Sequence, residues 1–139
     1  VVFPGRTLAA YRISAAGAQQ MWQVSTSPDR GASPVIWQDR VFLAEIGRLL
    51  CVEVETGKVV WDTQVNAWEL GSAVIADGKL IAGGNNTLFI FSATSGQPNL
   101  LASVSLPLAP CVTPAIAGGR IYLRLNNGVA CYDLTRPAS

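Results

Sequence analysis

The most reactive side chains of this 139-residue chain are three cysteines, Cys51, Cys111 and Cys131, and no histidine accompanies them. Without an imidazole there is no Ser–His or Cys–His pair to activate a nucleophile. The chain also lacks a Cys-x-x-Cys spacing, so the thiols do not read as a zinc site. They read instead as small buried apolar residues. Gly57-Lys58 is no phosphate loop, because the upstream Gly and the following Ser or Thr of that motif are missing. Asn85-Asn86-Thr87 fits the glycosylation acceptor pattern but serves equally as a tight turn, and the turn is preferred. Sequence reading therefore assigns no catalytic, cofactor-binding or metal-ligating residue. Binding chemistry is better represented. Trp68 and Glu69, in Asn66-Ala67-Trp68-Glu69, and Arg124 are candidates for a partner-facing surface, since contact hot spots favour Trp and Arg.

The elements that would carry these residues repeat. LLCVEVETG ends at Gly57 and LFIFSATSG ends at Gly96, 39 residues later. SPVIWQDRVFL (33–43), SAVIADGKLIA (72–82) and TPAIAGGRIYL (113–123) recur at nearly the same step. A period of roughly 40 residues marks a repeat architecture. Each unit holds four short apolar runs separated by two to five residues, with turn chemistry at Asp77-Gly78, Gly118-Gly119 and Asn127-Gly128. Such short gaps join antiparallel neighbours, because a parallel crossover needs about a dozen residues or more. Leu49–Val54 and Leu88–Phe91 are apolar in both alternating sets, which implies burial on both faces. The expected fold is all-β: a β-propeller of four-stranded antiparallel blades, with about three blades' worth present. A β-sandwich has similar strands but leaves the whole-unit repetition unexplained.

Taking the strands of a unit as A to D, residues 1–29 form a partial blade containing C and D. Residues 30–66 and 67–107 form complete blades, and 108–139 form a blade lacking its last strand. On this count the chain is the C-terminal portion of a longer propeller. Two exposed sheet faces and unpaired edges would then favour self-association that completes a ring. The D–A connections and B–C turns open on one end, which is where Trp68, Glu69 and Arg124 are expected. Gly57, Gly96, Trp22 and Trp61 recur as the structural signature, with Trp22 and Trp61 expected to lock one blade onto the next. Cys51 and Cys131 fall two blades apart, too far for a bridge that needs Cα atoms within ~7 Å. Cys111 and Cys131 would occupy strands A and C of one blade, ~9.5 Å apart.

With Val54-Glu55-Thr56-Gly57-Lys58-Val59-Val60-Trp61 in view, the units resemble the PQQ-like, or quinoprotein-like, propeller repeat. The resemblance covers almost the whole chain; at the second copy Leu100 stands where the motif has Trp. The family includes PQQ-dependent alcohol dehydrogenases, the outer-membrane-assembly lipoprotein BamB, and exported propellers without known catalysis. It therefore implies a periplasmic or cell-envelope location. Its enzymes hold a quinone, a calcium ion and an Asp base, often with a vicinal disulfide. This chain has neither adjacent cysteines nor clustered carboxylates. The expectation is a non-catalytic, BamB-like scaffold for protein–protein interaction, without cofactor. The alternative is the C-terminal part of a PQQ-dependent alcohol or sugar dehydrogenase whose active site, with PQQ and calcium, lies in other blades.

Composition agrees with buried strands: 50% of residues are hydrophobic and 14% charged. The net charge is +1 and the eight Arg and two Lys are scattered, so no basic stripe for nucleic acid is present. The longest apolar run is far short of the ~20 residues that span a bilayer, so no transmembrane segment is expected.

Overall fold

A computed structural model describes residues 2–3, 7–26 and 31–135. The expected boundary between residues 29 and 30 and the tail from 136 lie outside that set. Among the described residues every regular element is a strand. The first sheet contains β1 (Val2–Phe3), β2 (Thr7–Ser14) and β3 (Gly17–Ser25). The second contains β4 (Val35–Trp37), β5 (Arg40–Glu45), β6 (Arg48–Glu53) and β7 (Val59–Gln64). The third contains β8 (Val74–Ala76), β9 (Lys79–Gly84), β10 (Thr87–Ser92) and β11 (Leu100–Ser105). The last contains β12 (Ala115–Ala117), β13 (Arg120–Leu125) and β14 (Gly128–Asp133). Every pairing is antiparallel between chain neighbours, as the short gaps require. The chain is all-β and forms part of a propeller.

One correction concerns where the first sheet begins. Sequence reading started it at strand C, yet Val2 pairs with Ala10 and Phe3 with Ala9, so a B-like strand precedes it. Two paired residues carry too little periodicity to be read as a strand.

Alternation along each strand explains the double burial. In β5, Val41 and Leu43 point one way and join Leu8, Ala10 and Trp22 of the first sheet. Phe42 and Ala44 point the other way and pack with Leu80, Ala82, Phe89 and Phe91 of the third. Ile81 and Leu88 then meet Ile121 and Leu123 of the last sheet. A side chain such as Leu50, with 0% exposure, contributes about 2 kcal/mol by leaving water. The hydrogen bonds repeat as well: Val54 N donates to Asp39 O, Ala93 N to Gly78 O and Leu134 N to Gly119 O, each at 2.8 Å.

The cysteines show what a neighbouring sheet does. Cys51 pairs in register with Phe42, and Cys131 with Tyr122, so the two thiols hold equivalent positions. Cys51 is fully buried because β8–β11 covers its face, whereas Cys131 is exposed. Cys111 is also exposed and lies in a turn at φ 54° rather than in strand A. The expectation of three buried thiols thus holds for Cys51 alone. All three are free. Burial pushes the Cys51 thiol up to about 12, against a smaller lowering by Arg40. In the native chain, a disulfide reagent such as Ellman's at pH 8 is expected to titrate Cys111 and Cys131 quickly, and Cys51 only after denaturation. Rapid modification of Cys51 would show that the second and third sheets separate.

Candidate functional site

The loop end of the molecule is a backbone frame tied by hydrogen bonds. Gly47 N donates to Ala67 O at 2.8 Å and Val65 N to Gly47 O at 3.0 Å, which fastens the β7–β8 connection to the β5–β6 turn. One sheet later Leu106 N donates to Asn86 O at 2.9 Å, and Asn126 N to Pro107 O at 3.0 Å. Cys111 N donates to Glu69 O at 3.1 Å, joining successive connections. Asn85 and Asn86 sit at φ 49° and 58°, the consecutive left-handed pair of a tight two-residue hairpin.

Two pockets open on this frame. One, of about 270 Å³, is lined by Gly47, Gln64, Val65, Asn66 and Trp68 among others. Trp68 is 70% exposed, although the Ala67 before it is buried. The other pocket, of about 330 Å³, is lined by Glu69, Asn85, Asn86, Leu108, Pro110 and Asn126. Trp68 and Glu69, adjacent in sequence, therefore serve neighbouring pockets. The same end holds a brace: Arg48 reaches the buried Glu45 at 3.3 Å and the exposed Asp62 at 3.0 Å. Glu45, 2% exposed, is neutralised there, so this carboxylate is structural.

Arg124 stands near the end of β13, where Ala109 N donates to its O at 3.1 Å. It pairs with Val129 and lies on the outward face of the last sheet with Tyr122 and Cys131. The equivalent pairs in the inner sheets are Ala44 with Leu49 and Gly83 with Leu88. Ala44 is fully buried, and a Cβ on Gly83 would come 2.8 Å from Val112 Cγ1. Arg124 thus puts a guanidinium where the inner interfaces admit almost nothing. Any sheet stacked here, including a second copy completing a ring, has to seat and pair that charge.

The signature residues divide. Trp22 Nε1 donates to Val54 O at 2.7 Å, and its ring lies over Gly57 of the next sheet. Trp61 packs against Phe42 of its own sheet and Phe91 of the next, with ring centres 5.9 and 6.4 Å away. Around Gly96, in contrast, a Cβ would meet nothing within 4 Å. The turn at Gly96 is reached instead by Arg40 of the second sheet, whose Nη1 donates to Ser95 O.

A family model described as outer membrane protein assembly factor BamB matches residues 7–136. The chain belongs to the BamB family of PQQ-like repeats. Among solved structures, BamB from Moraxella catarrhalis shares the fold of this BamB-family chain at TM-score 0.74 and 18% identity, covering 96% of this chain and 42% of that one. The chain thus spans less than half the length of that relative. A europium-containing methanol dehydrogenase aligns at TM-score 0.60 and 13% identity over 75% of this chain and 22% of its own. The computationally designed Ika4 protein aligns at 0.67 and 10% identity, covering 96% and 91%. Comparison with curated proteins returns no match. Among the described residues, no helix is long and apolar enough to cross a membrane.

Sequence reading singled out Trp68 and Glu69 but preferred a turn for Asn85-Asn86-Thr87 and placed Asn126 in the turn Asn126-Asn127-Gly128, with no binding role for either. The signal was present, because B–C turns and D–A connections of a propeller open on the same end.

Proposed function

We propose that this BamB-family chain is a non-catalytic scaffold of the cell envelope that presents its loop end to protein partners. The observation that carries the reading is Trp68: a large aromatic side chain held 70% exposed by a hydrogen-bonded connection beside an open pocket. Exposed indole on a rigid frame gives contact area at little ordering cost, the usual make-up of an interface anchor. The envelope location is supported by the family, whose description names an outer membrane protein assembly factor. In a pull-down from envelope extract, Trp68→Ala is expected to lower the retained partner about tenfold, as for loss of one anchor of ~1.4 kcal/mol. Unchanged capture would sink the reading.

A second reading has one observation in its favour, the fold shared with a methanol dehydrogenase. It makes this chain part of a quinoprotein dehydrogenase. Reconstitution with PQQ and calcium, followed by alcohol-dependent dye reduction, would support that reading against the first.

A further inference from the structure

The pocket beside Trp68 has a floor whose backbone donors are already spent. Gly47 N donates to Ala67 O, Val65 N to Gly47 O, and Ala67 N to Val65 O at 2.8 Å. What remains to meet a ligand is the side chains of Gln64, Asn66 and Trp68, with Ile46, Val65 and Ala67 as apolar surface. Among the described residues the carboxamides of Gln64 and Asn66 and the indole N–H of Trp68 make no hydrogen bond. None of the described residues that line the opening is charged. The backbone bonds fix the β7–β8 connection on the β5–β6 turn, so the exposed indole stands on a pre-organised frame.

An indole N–H only donates, and each carboxamide offers an NH₂ group beside its one carbonyl. The ligand that matches this set is rich in acceptors, poor in donors, and carries an apolar surface that can lie on the indole. A proline-containing stretch has that make-up: each Pro keeps its C=O, lacks an N–H, and presents a ring of aliphatic carbon. In the polyproline II form its carbonyls make no internal hydrogen bond, and the stiff backbone loses little freedom on docking. Aromatic-lined grooves take such segments by this fit. Other occupants fit worse. An ionic ligand would find no opposite charge in the lining. An amphipathic helix closes its backbone bonds internally and would leave the carboxamides buried and unpaired. A saccharide brings a donor on every hydroxyl and would need acceptors that Ile46, Val65 and Ala67 do not supply.

We propose that this pocket docks a proline-rich extended segment of a partner protein, with a proline ring on the Trp68 indole and backbone carbonyls accepting from Trp68 Nε1, Gln64 Nε2 and Asn66 Nδ2. This deepens the scaffold reading, on which it rests, by naming what the partner presents.

The test is fluorescence anisotropy with two fluorescein-labelled peptides flanked by glycine and serine, one carrying Ala-Pro-Pro-Pro-Pro-Ala and the other Ala in place of every Pro. The proline peptide is expected to bind the chain about tenfold more tightly, through the stacked ring and the smaller ordering cost. Trp68→Ala should abolish that preference. Trp68→Phe should keep a ring but lose about fivefold with the indole N–H, the range of one hydrogen bond, and Gln64→Leu should lose a similar factor. Trp68 and Gln64 are both exposed, so these substitutions leave the fold intact, which an unchanged circular-dichroism spectrum checks. Equal binding of the two peptides, an undiminished preference in Trp68→Ala, or displacement of the proline peptide by N-acetylglucosamine would overturn the proposal. If the proline preference is absent while capture still depends on Trp68, this inference falls alone; if both are absent, the scaffold reading falls with it.

Discussion

Gly57→Ala is expected to lower the stability of the chain by about 3 kcal/mol, or roughly 10 °C in Tm, while Gly96→Ala leaves it unchanged within about 0.5 kcal/mol. The two glycines end the same repeated phrase, yet only one is constrained. Gly57 sits at φ 70°, and its ideal Cβ would stand 2.6 Å from Trp22 Cδ2 and Cε3. The left-handed backbone alone costs an alanine about 1 kcal/mol. The indole cannot move aside cheaply, because it is buried, packs with Leu8 and Val52, and donates Nε1–H to Val54 O at 2.7 Å. Gly57 itself is held by a 2.9 Å bond from its N to Glu53 O. At Gly96 a methyl enters open space and the backbone is not left-handed. Thermal unfolding followed by circular dichroism separates the two variants. Equal losses at both positions would mean that the repeated glycine acts through the turn and not through the indole.

That pair also shows what the sequence could and could not disclose. The all-β, repeated, doubly buried architecture was legible because each strand carries its own pattern: Val41, Phe42, Leu43 and Ala44 say locally that both faces are covered. That Trp22 and Trp61 pack one sheet onto the next was legible from their matching positions on the outermost strand, though the contact of Trp22 with Gly57 was not. The divergence at Gly96 was not. It depends on where Trp61, the equivalent of Trp22, places its ring, which is on Phe42 and Phe91, and on Arg40, which reaches the Gly96 turn through Ser95 O. Exposure of Cys131 was equally out of reach, since Cys51 at the equivalent position is buried and only the presence of a covering sheet distinguishes them. Arg124 shows a different gap. Its place at the end of its strand was legible, but the face it occupies, with Val129, follows only from period-2 alternation, where Ala44 and Gly83 are the informative comparison. The pocket around Glu69 was the hardest to see. Its residues come from separate loops, and only the shared end of the blades unites them.

The second large effect is expected at the junction between the last two sheets. Gly71→Ala should destabilise the chain by about 3 kcal/mol or more, and do so unevenly along it. An ideal Cβ on Gly71 would lie 2.0 Å from Val112 O and 2.4 Å from Val112 C. Both obstacles are backbone, so no rotamer change relieves them. Val112 is itself buried in the cluster that joins Ile81 and Leu88 to Ile121 and Leu123. Gly71 N also donates to Gly83 O at 3.0 Å, and a shift of the β7–β8 connection stretches that bond. Repeat units contact only their neighbours, so the strain has one outlet: the last sheet comes away from the third while the second stays packed. Native-state hydrogen exchange should therefore show the amides of β13, Ile121 and Leu123 among them, losing about two orders of magnitude in protection. Those of Leu43 and Leu50 should change by much less. Gly128→Ala, whose added methyl meets nothing within 4 Å, is the control and should leave both sets unchanged. Loss of protection spread evenly over all four sheets would show that they open as one cooperative unit, and a variant with full protection at β13 would show that the junction yields without cost.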